Sequence, residues 1–311
     1  MTKFNVFLAS GIIPCLAFLM ACNSNTKPEE KPIVATDSVS IINKKFGLAF
    51  QNGDKIVASS IDTLKQISFG GATDPAISPD GKKMAYTVID SAKHRTIWVA
   101  DLENKSQLQL KVNSDNYYQA MWSPRGDKIA FNIFTPANVW KIGLINADNT
   151  GFIILSNTTK INAYSPTWKS ESEILAHDLS NLYTFDSSGK IIKTESIAKL
   201  IGADYLISSS NRFFYTRDGK KLVFNAGTNE KIDGLEGPME AVYILDLTTK
   251  KIEKISPNGM NVTYIFLTAD DRIFYSGGEK PFTKRMIYIS DLAGKIKKIV
   301  DHGDNPSGAL Q

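Results

Sequence analysis

Sulfur and imidazole are scarce in this chain, which has two cysteines (Cys15 and Cys22) and three histidines (His94, His177 and His302) in 311 residues. No histidine has a second one at i+2 to i+4, and the cysteines do not form a paired motif, so the sequence offers no zinc half-site. A Gly-x-Ser-x-Gly nucleophile elbow and a glycine-rich phosphate loop are both missing, which removes the hydrolase and nucleotide-binding chemistries those motifs support. A dominant charge sign is missing too. Lys and Arg total 36 against 32 Asp and Glu, a net of +4 with no long basic block, which describes a mixed solvated surface and gives no nucleic-acid tract. The expectation is therefore no metal, no cofactor, no nucleic acid and no catalytic constellation.

Long apolar runs are confined to the start. Lys3 is the only charge before the run from Phe4 to Leu19, which has the length and flanks of a secretory h-region. Leu19-Met20-Ala21-Cys22 follows and resembles a bacterial lipobox. The resemblance implies that residues 1–21 are a lipoprotein signal peptide and that Cys22 is the lipidated first residue of the mature chain. Cys15 would leave with the signal, so no disulfide is expected. Residues 22–43, with Pro28, Glu29, Glu30, Lys31 and Pro32 among them, read as a flexible linker too polar to bury a core. With no stop-transfer segment, the expected membrane partner is reached through the lipid and the chain does not span. Asn23 stands where an Asp would retain a lipoprotein at an inner membrane. That favours the outer membrane of a cell envelope and leaves the leaflet open.

Residues 44–311 are built from one repeated unit. Ile77-Ser78-Pro79-Asp80-Gly81-Lys82-Lys83-Met84-Ala85-Tyr86 reads as a hairpin corner, because Pro presets φ and Gly accepts positive φ. The grammar returns in Trp122-Ser123-Pro124-Arg125-Gly126, Pro166-Thr167-Trp168, Tyr215-Thr216-Arg217-Asp218-Gly219 and Ile265-Phe266-Leu267. Taking Ile77, Trp122, Trp168, Tyr215 and Phe266 as equivalent gives intervals of 45 to 51 residues, the spacing of propeller blades. Three strands between Phe46 and Phe69 lack a first strand, and Asp304 to Leu310 supplies one. Three plus one completes a sixth blade and removes open sheet edges.

The Ser78-to-Lys83 turn and the strand Ile287-Tyr288-Ile289-Ser290-Asp291-Leu292 resemble the repeats of TolB-like, WD-repeat-like β-propellers of bacterial envelope proteins. The resemblance covers nearly all of the mature chain. It implies an all-β, six-bladed β-propeller closed by pairing the C-terminal strand with three N-terminal strands. It identifies the blade and leaves the task open.

Trp98, Trp122, Trp140 and Trp168 read as wedges between sheets. Asp101, Asp186, Asp246 and Asp291 close third strands and read as acceptors for local amides. The Ser-Pro-Asp-Gly turns share one face, so variable loops gather on the other, where loops display function. The candidate ligand face there comprises Tyr117, Tyr118, Phe134, Tyr164, His177, Tyr264, Lys280, Phe282 and Arg285, beside the long loop 226–241. His177 also reads as a hydrogen-bonded turn histidine. The function expected is a non-catalytic platform for an envelope protein or a glycan. The alternative is a carbohydrate-active enzyme of lyase type using His177 or His94 with nearby Arg residues.

Overall fold

The computed structural model describes residues 46–60, 66–229 and 232–309. The expected signal peptide, Cys22, the expected linker and the first residues of the expected propeller lie outside them. Six four-stranded antiparallel sheets make up the fold. Blade 1 contains β4 (Ala72–Ile77), β5 (Lys83–Ile89), β6 (Arg95–Asp101) and β7 (Gln107–Gln109). Blade 2 contains β8 (Tyr117–Trp122), β9 (Lys128–Phe134), β10 (Trp140–Asn146) and β11 (Ile153–Ile154). Blade 3 contains β12 (Tyr164–Trp168), β13 (Glu173–His177), β14 (Asn181–Asp186) and β15 (Ile191–Ser196).

Blade 4 contains β16 (Phe213–Tyr215), β17 (Lys221–Gly227), β18 (Glu240–Asp246) and β19 (Ile252–Lys254). Blade 5 contains β20 (Met260–Leu267), β21 (Ile273–Glu279), β22 (Met286–Ser290) and β23 (Ile296–Val300). Blade 6 joins the two ends of the fold: β24 (Asp304–Gly308) pairs with β1 (Leu48–Asn52), which continues into β2 (Lys55–Ser59) and β3 (Gln66–Gly70).

The closure is the one read from the repeat count. Leu48 faces Gly308 and Ala49 faces Ser307 across the antiparallel pair. The joint is fixed to blade 1 as well: the Ile77 amide donates to Ser307 Oγ at 3.0 Å, and Asn305 Nδ2 donates to Asp74 Oδ1 at 2.8 Å. First strands of most neighbouring blades contact one another, so they line the axis and later strands step outward. Among the described residues, one hydrophobic cluster lies at each blade-to-blade joint. At the blade 2–3 joint, for example, Ile142 and Leu144 meet Ile174 and Tyr183. Each such fully buried side chain contributes about 1.5–3 kcal/mol.

The turn chemistry is visible. Ser78 Oγ donates to Asp80 Oδ1 (2.6 Å), the Lys82 amide donates to the same oxygen (3.1 Å), and Gly81 takes φ +68°. Thr216 and Asp218 repeat the bond in blade 4 at 2.7 Å. The aspartates ending third strands accept local amides as expected: Asp101 from Glu103 and Asn104, Asp246 from Thr248 and Thr249.

Three details differ from the sequence reading. Leu267, one residue after Phe266, is the true counterpart of Ile77. The blade 5 turn is shorter, its Thr268 amide bonding Arg272 O where the Ser78 amide bonds Lys83 O. A short helix, α1 (Ile197–Ile201), follows blade 3. It is capped by Ser196, whose hydroxyl accepts from the Lys199 amide, and it buries Ile197 and Ile201 on the blade 3–4 joint. Trp140, expected as a wedge between sheets, does not hold that position in blade 2, where Gly143 stands instead.

Candidate functional site

Each blade runs as an antiparallel meander outward from the axis, so the turns after first strands share one face and the loops after second strands share the other. On that second face the innermost strands begin, and they begin irregularly. Asp74, Gln119, Ser165 and Asn305 take φ of +46° to +57°, and the pairing registers slip at Thr73/Ala76, Tyr118/Met121 and Tyr164/Thr167. These are β-bulges at one rim of the channel, which re-aim side chains toward the axis.

A ring of buried polar side chains on the second strands supports the bulges. Thr87, Asn132, His177, Asn225 and Ser276 hold one register position, each following the residue paired with Trp98, Gly143, Tyr183, Tyr243 or Tyr288. Thr87 Oγ1 accepts the Gln119 amide, Asn132 Oδ1 the Ser165 amide and Asn225 Oδ1 the Arg212 amide. Ser276 Oγ donates to Asp304 Oδ1 at 2.7 Å. His177 does the same work: Nε2 donates to Asn211 O at 2.9 Å and Nδ1 accepts the Leu179 amide. The imidazole is fully buried and desolvation lowers its pKa to about 4, opposed by the Asn211 bond and by Asp178. It is therefore a joint between blades 3 and 4 and is absent from the ligand face.

Tyr117 is also withdrawn from that face. Strand alternation turns its ring into the blade 1–2 joint, and its hydroxyl donates to Leu110 O at 2.7 Å. Tyr118, next in sequence, points out. The Arg95 guanidinium lies 3.7 Å from the Tyr118 ring centre and 5.5 Å from that of Trp140. Tyr118 meets Trp140 edge-on at 5.5 Å, and Phe134 packs on Trp140 at 4.9 Å. All four side chains are partly exposed.

Trp140 belongs here because Gly143 holds the position that Trp98, Tyr183, Tyr243 and Tyr288 hold in other blades. A Cβ on Gly143 would lie 2.3 Å from Phe131 Cε2, so the Phe131 ring fills the wedge space instead. The cue in the sequence was Gly143 itself, three residues before the end of its strand.

A second group stands at blades 4 to 6. Arg285 pairs with Asp304, and Tyr264 lies within the field of Asp74, Asp304, Arg212 and Arg285. Burial, followed by the two aspartates, pushes the Tyr264 hydroxyl up to about 12. A cavity of about 290 Å³ opens here, lined by Ser210, Glu240, Asn261, Tyr264 and Arg285. Glu240 is half-buried with its pKa raised by desolvation, and Asn211 Nδ2 (2.6 Å) and Asn225 Nδ2 (2.8 Å) both donate to Oε2.

The long connection of blade 4 spans 228–239, shorter than 226–241 because β17 and β18 extend to Gly227 and from Glu240. Its described part shapes a neighbouring depression of about 510 Å³, and Phe282 lies against its Gly234. Tyr164 is half-buried and close enough to Tyr118 to raise its pKa slightly, while Lys280 is exposed on the outer loop.

Between the two groups the floor is charged. Asp74 and Arg212 interact across the channel, and burial works against both charges, raising the Asp74 pKa and lowering that of Arg212. Only about 10 Å³ of free space remains between them, Gln119 and Asn305, room for about one water. The channel is a plugged funnel. Among the described residues no three His, Cys, Asp or Glu side chains stand together as a metal site.

No family model and no curated protein matches the chain. Solved structures do share the fold. TolB from Acinetobacter baumannii is 16% identical with a TM-score of 0.61, over 86% of this chain and 66% of that one, so the chain spans about two thirds of that protein's length. The β-propeller domain of the Trilobed protease from Pyrococcus furiosus, described as having an open velcro topology, is 16% identical with a TM-score of 0.55, over 84% and 97%. A chain of a nidogen/laminin complex is 12% identical with a TM-score of 0.57, over 85% and 98%. The chain thus has a TolB-like six-bladed β-propeller fold, and identities this low carry the fold alone.

Proposed function

We propose that this is a lipid-anchored protein of the bacterial cell envelope, attached at the outer membrane through Cys22, whose propeller is a non-catalytic platform for an envelope protein or a glycan. The observation that carries the platform is the partly exposed stack of Arg95, Tyr118, Trp140 and Phe134. Tyr, Trp and Arg anchor binding surfaces because they offer a large rigid contact area with a polar handle. A protein is the favoured partner, since the stack is broad and open. The nidogen/laminin structure, an assembly of two proteins by its description, includes a chain of similar fold. A glycan remains the second reading because Glu240, Asn261 and Arg285 border one cavity beside the Tyr264 ring, a set of acceptors and donors that suits hydroxyls.

The lyase alternative loses support at His177, which is buried, neutral at physiological pH and bonded to a main-chain carbonyl. His94 is exposed, with Nδ1 2.9 Å from Asp90 and Nε2 3.6 Å from Asp115, so both ring nitrogens already face carboxylates. The platform is tested by capture from detergent-solubilised membranes alongside a glycan array, each repeated with Arg95→Ala/Tyr118→Ala. Binding abolished by the pair supports the assigned face, and binding that ignores it removes the face from the account. Palmitate labelling that persists in Cys22→Ser would contradict the anchor.

A further inference from the structure

The face with the Ser-Pro-Asp-Gly turns carries a cavity of its own, about 370 Å³ at the axis. Five aromatic residues line it, Trp122, Trp168, Phe214, Tyr215 and Phe266. The walls are held in place. Trp122 Nε1 donates to Ala76 O (2.8 Å), Trp168 Nε1 donates to Met121 O (3.1 Å), and Phe214 meets Phe266 edge-on at 5.9 Å. Both indole N–H groups are thus consumed by the neighbouring blade, and what remains toward the cavity is apolar ring surface. The aromatics come from blades 2 to 5, while blade 1 contributes Ala76, Ile77 and Pro79 and blade 6 contributes Gly308. Inward, the bowl ends at the Asp74–Arg212 plug with its 10 Å³ of space. It is a blind pocket of the size and lining that holds small ligands.

The rim adds a charge. Lys169 is engaged by Glu173 at 2.7 Å, and Glu171 by Arg125 at 3.5 Å. Arg217, exposed at the lip, has no ion-pair partner among the described residues; only its amide is used, donating to Asp271 Oδ1.

We propose that this bowl is a second binding site, independent of the platform on the opposite face, for a small amphipathic anion. A flat apolar ring lies among Trp122, Trp168, Phe214 and Phe266, and its carboxylate meets the Arg217 guanidinium. Burying ring surface in a preformed apolar pocket supplies most of the affinity, and a guanidinium at the lip selects carboxylate over ammonium by charge and bidentate geometry.

The probe is 2-naphthoate, with 2-naphthylmethylammonium as its cationic counterpart. Equilibrium dialysis is run against the full-length protein in nanodiscs, with empty nanodiscs as the blank. The expected result is one saturable site for 2-naphthoate, with binding of the cation at least tenfold weaker. Arg217→Glu should weaken 2-naphthoate at least tenfold while leaving the melting temperature in place. Ala269→Trp, which places an indole over the opening from an exposed turn position, should abolish it. Non-saturable uptake, equal binding of the two probes, insensitivity to Arg217→Glu, or binding that survives Ala269→Trp in a protein with an unchanged melt would each overturn the proposal.

Discussion

The Arg95 guanidinium lies 3.7 Å over the Tyr118 ring, across the joint between blades 1 and 2, while its Nε donates to Asn116 Oδ1 at 2.8 Å. The stack is partly exposed, so the cation–π contact is worth about 0.5–1 kcal/mol. Arg95→Ala should lower stability to urea by about 1 kcal/mol, and Arg95→Lys should recover little of it, because an ammonium cannot lie flat on the ring and hold Asn116 together. Full recovery by Lys would reduce the contact to simple charge.

Gly143 and Phe131 make a second coupled pair. A Cβ at Gly143 would sit 2.3 and 2.5 Å from two Phe131 ring carbons, far inside contact distance. Gly143→Ala should cost about 1–3 kcal/mol in denaturant unfolding. The cost should shrink in a Phe131→Leu background, since the smaller side chain vacates the space, and additive effects would contradict the wedge exchange.

His177 links stability to pH. Its pKa is 6.5 in the unfolded reference and about 4 in the fold. Between those values the unfolded chain binds the extra proton, so stability falls as pH drops from about 6.5 toward 4, by up to about 3 kcal/mol. Asp178 beside it has a lowered pKa despite its partial burial, through the Tyr183 hydroxyl and the Asn181 and Ser180 amides, and its contribution is lost at lower pH still. His177→Asn copies the residue that Asn132 and Asn225 place at the same register position, and should flatten the profile between pH 6.5 and 4. An unchanged slope would remove His177 from the explanation.

The last strand closes the ring. Removing residues 304–311 takes away the partner of β1 and the Ser307 acceptor of the Ile77 amide, leaving a strand edge open to other chains. The truncated protein should lose its cooperative unfolding transition and elute as aggregates. A sharp transition at the original midpoint would show that five blades and a fragment suffice.

Much of this architecture was legible because its cause is local. A turn such as Ser78-Pro79-Asp80-Gly81 encodes its own geometry, and its recurrence counted the blades. The incomplete ends at Phe46–Phe69 and Asp304–Leu310 even disclosed how the ring closes. The site was less legible because exposure depends on which side of a strand faces a neighbouring blade. Tyr117 and Tyr118 are adjacent and chemically alike, yet one fills a joint and the other meets Arg95. His177 reads from the sequence both as a candidate on the ligand face and as a hydrogen-bonded histidine, and the second reading holds; its equivalence with Thr87, Asn132, Asn225 and Ser276 appears once the strands are in register. Trp122 and Trp168 read as packing wedges, and each bonds its indole N–H to a main-chain carbonyl of the neighbouring blade.

The account rests most heavily on which face meets the partner, and site-specific photocrosslinking in cells tests it directly. A benzophenone amino acid is placed at Phe134, on the loop face, or at Lys82, on the turn face, and adducts are resolved by mass after irradiation. The account expects a discrete protein adduct from position 134 and none from position 82. A discrete protein adduct from position 82 alone would contradict it.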